Sequence, residues 1–275
     1  MHRPTALLLM MFAAACTSNA RRIDARAQAA GLERSEIAAG EHRSLIYMKR
    51  GDEPFVVYLE GDGLPWRDGV EPNTDPTTRN PVALELLLRT SHAGAYVTRP
   101  CYHDLNEQRC TSEHWTSARY SEEIVASVAT AIQSAARKAN ARSMTLVGYS
   151  GGGALAVLAA ERLDNIDAVI TIAANLDTDA WTTHHGYLPL LQSLNPSRSA
   201  RRHPWPEIHL QGVRDMTVPP STTAAYFQRY PSAQRRLFKD HDHVCCWIDA
   251  WPLAFQEARK AIEEPRKTAK KNSMQ

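Results

Sequence analysis

The chain has 275 residues, enough for one ordinary α/β domain with a substantial core. Its 43% hydrophobic and 23% charged residues describe a globular protein, not a disordered one. A net charge of +2, with no basic face interleaved with aromatics and no zinc-ligand spacing, argues against nucleic-acid binding and a structural metal.

The chain opens with a targeting segment over residues 1–15. His2 and Arg3 precede an uncharged run, ALLLMMFAAA, from Ala6 to Ala15. Ten apolar residues fall well short of the roughly 20 that span a bilayer, and the small residues at the end suit a secretory signal. Ala13-Ala14-Ala15-Cys16 resembles the bacterial lipobox, although Ala13 stands where Leu is preferred. That resemblance implies lipidation of Cys16, export, and tethering of the protein to a membrane of the bacterial cell envelope. The alternative is ordinary cleavage near Ala15 that leaves Cys16 a plain thiol. Residues 16–43 read as a short tether and an N-terminal helix.

From there extended and helical patterns alternate up to residue 263, which predicts an α/β domain: a mostly parallel central sheet with helices on both faces. Strands are expected over Ser44–Lys49, Phe55–Leu59, Ala95–Thr98, Met144–Val147, Ala168–Ala173, Ile208–Gln211 and Arg235–Phe238. Helices are expected from Pro81, from the N-cap Ser121 to about Asn140, over Gly151–Leu163, from Ser221 to about Arg229, and over Trp247–Glu263. Residues 175–206 break this rhythm with aromatic, proline and polar residues, and read as a cap or lid insertion. Residues 264–275 are polar and charged and read as a disordered basic tail.

One motif carries chemistry. Gly148-Tyr149-Ser150-Gly151-Gly152 matches G-x-S-x-G between a buried strand, MTLV, and a small-residue helix, GGGALAVLAA. That setting is what a nucleophilic serine on a tight strand-to-helix turn requires. A serine hydroxyl needs a base, and the base needs an orienting acid. Asp215 follows the strand IHLQ and is the candidate acid, with Asp177 as the alternative. His243 precedes the last helix and is the candidate base, with His241 as the alternative. Backbone N–H groups of Gly151 and of the loop Glu60-Gly61-Asp62-Gly63 are candidates to hold an oxyanion. Asp62 is the favoured donor in that loop, with Gly61 and Gly63 as alternatives. An acidic side chain opposes a developing negative charge, so the Asp62 carboxylate is expected to point away. Trp66, Trp115 and Trp181 could line a pocket, but a tryptophan in such a place is more often plain core.

These residues resemble the α/β-hydrolase superfamily and, more narrowly, a group of bacterial serine-hydrolase lipoproteins. The segments that carry the likeness are YLEGDG, RPCYHDLNEQRC, HWTSARYS, VGYSGGGALAVLAA, ANLDTDAWT and HDHVCCW. The resemblance implies the α/β-hydrolase fold, the chain order Ser, acid, His, and cleavage of esters or amides without a metal or organic cofactor. A carboxylic ester, small or lipid-like, is the leading substrate. A peptidase or amidase, or an inactive binding protein on the same fold, are the alternatives. Cysteines 101, 110, 245 and 246 allow three disulfide connectivities. A Cys101–Cys110 bridge would tie the polar loop YHDLNEQR, whereas the adjacent Cys245 and Cys246 are expected to stay reduced.

Overall fold

In the computed structural model, residues 18–103, 108–199 and 205–272 are described, with side chains described only as far as Glu263. The signal segment and Cys16 lie outside the described residues. No helix among those described is long and apolar enough to cross a membrane.

The sheet has eight strands: β1 (Glu33–Ala39), β2 (His42–Lys49), β3 (Asp52–Leu59), β4 (His92–Val97), β5 (Met144–Tyr149), β6 (Ile166–Ile172), β7 (Glu207–Gly212) and β8 (Gln234–Phe238). Their order in space is β1-β2-β4-β3-β5-β6-β7-β8. Within this sheet β1 against β2 and β2 against β4 pair antiparallel, and the pairings from β4 onward are parallel. The central strands alternate between two cores. Phe55, Val57 and Leu59 of β3 face one, while Val56 and Tyr58 face the other. This two-sided burial explains why β3 reads as a continuous apolar run.

Among the described residues the α-helices are α1 (Asn19–Ala29), α2 (Val82–Leu88), α3 (Glu122–Lys138), α4 (Gly151–Ala160), α5 (Thr178–His185), α6 (Ala224–Arg229) and α7 (Trp247–Asn272). The apolar residues of α3 and α4, with Tyr226 of α6, join the first core, and those of α1, α2 and α7 join the second. Ser121 caps α3 by accepting the Ile124 N–H, as its sequence indicates. The helix α4 is buried on every side, which its uniformly small and apolar residues permit.

Several elements differ from those expected from the sequence. The N-terminal segment holds β1 as well as the helix; ERSEIAA has too little apolar alternation to announce a strand, and its pairing with β2 decides it. The helix expected from Ser221 starts as a 3₁₀ turn over Pro220–Thr223 and becomes α6 only at Ala224. The region expected to be irregular contains α5, begun by Asp177, whose carboxylate accepts the N–H groups of Asp179 and Ala180. Helix α7 continues through Asn272, past the end expected at Glu263 and through Pro265.

Candidate active site

The carboxyl ends of the parallel strands hold every residue singled out for chemistry. Ser150 stands between β5 and α4 with φ 53° and ψ −124°, a left-handed backbone that a non-glycine residue adopts only under strain. The turn is held from below by the Ser150 N–H, which donates to the Ile172 carbonyl at 2.8 Å. The following turn passes so close to β3 that a Cβ on Gly152 would collide with the Leu59 carbonyl oxygen. The sharp turn therefore lifts the Ser150 hydroxyl clear of the backbone at the N-terminus of α4.

His243 Nε2 lies 3.0 Å from Ser150 Oγ, and its Nδ1 lies 2.8 Å from Asp215 Oδ2. Asp215 is buried, and its other oxygen accepts the N–H groups of Thr217 and Val218 at 2.8 and 2.7 Å. Those two bonds fix the carboxylate plane, so Oδ2 is left to orient the imidazole. An ionised Asp215 favours the tautomer with its proton on Nδ1, which leaves Nε2 free to accept the Ser150 proton. The Tyr149 hydroxyl donates to the His243 carbonyl at 2.9 Å, anchoring the base from its own main chain.

The two alternative residues do other work. Asp177 spends its carboxylate on the start of α5 and on the Asn195 amide. His241 packs its ring against Trp247 and Phe238, with centroids 4.5 and 4.9 Å away, and burial lowers its pKa.

The loop after β3 faces Ser150. A Cβ on Gly61 would stand 3.1 Å from the Ser150 Cβ. Gly61 cannot offer its N–H to a substrate, because Glu60 Oε1 accepts it at 3.1 Å. Glu60 Oε2 accepts the Ala83 N–H at 3.0 Å, so one buried carboxylate ties this loop to the start of α2. Burial pushes the Glu60 carboxyl up to about 7, against the opposing pull of those N–H groups. Among the described residues no acceptor takes the Asp62 N–H. The Gly63 N–H and the Gly151 N–H, at the head of α4, likewise have no acceptor among the described residues, so the loop alternative Gly63 stays open beside Asp62.

The Asp62 side chain does not point away, contrary to the expectation from sequence. It lies beside Gly151, where a Cβ would collide with its carboxylate. There it accepts from Arg99, from Arg119 Nη1 at 3.0 Å and from the Tyr120 hydroxyl at 2.7 Å. The Tyr102 hydroxyl donates to the Asp62 carbonyl at 3.0 Å. Burial alone would raise this carboxyl; Arg119 and Arg99 outweigh it and hold the pKa at about 2. Both arginines lay unassigned within the quoted segments. A visible signal was Arg99 directly after the buried strand AYVT, where a cation is costly unless paired.

Cys101 and Cys110 are bonded to each other, with Cα atoms 5.5 Å apart. Cys245 and Cys246 are bonded as well, which corrects the expectation that they stay reduced. The Asp242 carboxylate gathers the N–H groups of Val244 and Cys245 into a tight turn that sets the two sulfurs side by side. Of the tryptophans, Trp115 is packed against Cys101 and Tyr102, Trp66 is exposed, and Trp181 donates to the Thr217 carbonyl beside Asp215.

Among the described residues, His42, His114 and Glu123 bring ligand atoms within 4.8 Å of one another. The Thr111 N–H donates to His114 Nδ1 at 3.0 Å, so the neutral ring carries its proton on Nε2, the atom facing Glu123. That is a hydrogen-bond donor and not a metal ligand.

No protein-family model and no curated protein matches the sequence. Solved structures do match in shape. An esterase from Pyrococcus furiosus superposes with a TM-score of 0.62 at 12% identity, over 86% of this chain and 93% of that one. Est1E from Butyrivibrio proteoclasticus gives 0.57 at 12% identity, over 84% and 99%. The mouse alpha/beta hydrolase domain-containing protein 10 gives 0.57 at 18%, also over 84% and 99%. Identities this low carry architecture only. With the strand order, the turn at Ser150 and these superpositions taken together, the chain has the α/β-hydrolase fold.

Proposed function

We propose that this protein is a serine hydrolase that cleaves carboxylic esters through an acyl-enzyme. The observation that carries the reading is the continuous relay from Ser150 Oγ through His243 to Asp215, at 3.0 and 2.8 Å. In the first half-reaction His243 Nε2 takes the Ser150 proton as Oγ attacks the ester carbonyl carbon. The carbonyl oxygen becomes an oxyanion and accepts from the N–H groups of Gly151 and Asp62. The tetrahedral adduct collapses, and His243 returns the proton to the departing alcohol oxygen. Water then enters; His243 takes its proton as the water oxygen attacks the acyl carbon, and as this second adduct collapses His243 returns the proton to Ser150 Oγ and the carboxylic acid leaves. Asp215 stays ionised throughout and stabilises the imidazolium.

One of the named structural neighbours is described as an esterase, which supports an ester over an amide as the leading substrate. The test is labelling of the purified protein with a fluorophosphonate probe, followed by an ester panel of graded acyl length beside matched anilides. Covalent labelling lost in Ser150→Ala, with turnover of esters, supports the reading. An unlabelled wild-type protein would indicate a binding protein, and faster anilide turnover an amidase. The same proposal includes export and lipid attachment at Cys16. Equal release of wild type and Cys16→Ser into the soluble periplasm of a bacterial host would count against that part.

A further inference from the structure

Resting on that reading, we propose that Arg99 and Arg119 are positioning residues that set the place and the sign of charge at the oxyanion site. Two features of Asp62 conflict. Asp62 is to present its N–H to a developing anion, yet its own carboxylate lies against Gly151, the residue offering the other N–H. The Tyr120 hydroxyl oxygen would stand 2.6 Å from a Cβ at Gly151, so the whole cluster abuts the head of α4. A lone carboxylate there would oppose the oxyanion, and the low dielectric of a buried site strengthens that opposition.

One guanidinium would neutralise Asp62. The structure supplies two, with side chains only 3% and 5% exposed. One negative and two positive charges leave a sum of one positive charge. Burying a surplus cation costs stability, and Asp62 alone does not require it. The surplus does suit an anion forming at the adjacent N–H groups. The charges are also fixed in advance. Arg99 Nη2 donates to the Arg119 carbonyl at 2.8 Å, and Arg119 Nε donates to the Thr116 carbonyl at 2.7 Å. Arg99 Nε is buried without an acceptor among the described residues. Both guanidiniums therefore keep their places as the oxyanion forms, so their field involves no reorganisation during the reaction.

The experiment compares kcat and KM for an activated ester in wild type, Arg119→Gln, Asp62→Asn, and the Asp62→Asn/Arg119→Gln double variant. Arg119→Gln brings the local sum to zero, and kcat falls about 10- to 50-fold with KM within about threefold. The double variant restores a sum of one positive charge and runs at least about fivefold faster than Arg119→Gln. A purely structural role predicts a double variant no faster than the single, and that result overturns the proposal. So does an Arg119→Gln kcat within about twofold of wild type. If Arg119→Gln does not fold, Arg119→Lys decides. It keeps the charge and loses the fork, so kcat within about threefold supports the proposal, while a folded Arg119→Lys slower by more than about tenfold overturns it. Fluorophosphonate labelling of wild type separates the two levels of inference. A labelled wild type with an unaffected Arg119→Gln removes this proposal alone, whereas an unlabelled wild type removes the serine-hydrolase reading and this proposal with it.

Discussion

The two walls around Ser150 are built in opposite ways. On one side, His243 is held by a single side-chain bond to Asp215 and by its own carbonyl, and its ring is 16% exposed. The elements around it are open: β8 is an edge strand with three exposed residues, and Val244 is half exposed. On the other side, Asp62 is gripped by Arg99, Arg119, Tyr120 and Tyr102, all of them buried. On the proposed reading, the difference follows from what each wall must do. A base changes protonation state in every half-reaction and needs one well-aimed axis with water nearby. An oxyanion donor is useful only if it is already in place when charge develops.

The sharpest way to break this comparison is to remove what both walls serve. Ser150→Ala should lower ester turnover by about 10⁴- to 10⁶-fold while circular dichroism and the melting temperature stay close to wild type. Near-wild-type hydrolysis by that variant would end the argument. Next comes the axis of the open wall. Asp215→Asn keeps an oxygen for the N–H groups of Thr217 and Val218 but allows the other tautomer of His243. Turnover should fall by about 10⁴-fold with little change in stability. A loss below about tenfold would mean that His243 is oriented by something other than Asp215.

The disulfides sharpen the contrast further, because each wall has one. The Cys101–Cys110 bond closes a loop that carries Tyr102, whose hydroxyl fixes the Asp62 carbonyl. Replacing both cysteines by Ala should cost about 2.5–3 kcal/mol in the loop-closure model. It should also lower kcat by several-fold as Tyr102 loosens. The Cys245–Cys246 bond closes almost no chain, so its removal should cost only about 1 kcal/mol. Denaturation midpoints of the two double-Ala proteins decide the order. Equal losses would show that the packed wall does not depend on its loop.

The sequence disclosed the two walls unequally, for a physical reason. Ser150 and Asp215 sit at strand ends beside turn-forming glycine and proline, and His243 lies between the last strand and the last helix, where local patterning marks a site. The alternation of β3 with α2, α3 and α4 likewise follows from apolar spacing alone. The packed wall has no such signature. Arg99, Arg119 and Tyr120 are far from Asp62 along the chain and meet it only through the crossing of β4, α3 and the β3 loop. Nor could spacing reveal that Glu60 would accept two backbone N–H groups, or that ERSEIAA would become β1 by pairing.

A further expected effect concerns Glu60, which keeps the Gly61 N–H occupied. Its carboxyl titrates at about 7 in the folded protein because burial disfavours its charge, against 4.5 for the ordinary group. Between those values the folded chain keeps a proton that the unfolded chain has released. The unfolded state then binds fewer protons, so the contribution of Glu60 to stability declines as pH rises from about 4.5 to about 7 and is level above that. Glu60→Gln cannot titrate. Its amide can accept one of the two N–H groups but turns an N–H toward the other, which costs about 1–3 kcal/mol. The variant should therefore be less stable than wild type, with the gap narrowing as pH climbs through the window. Urea midpoints measured across that range for both proteins test it. Parallel curves would mean that Glu60 titrates like an exposed carboxylate and that its grip on Gly61 does not depend on protonation.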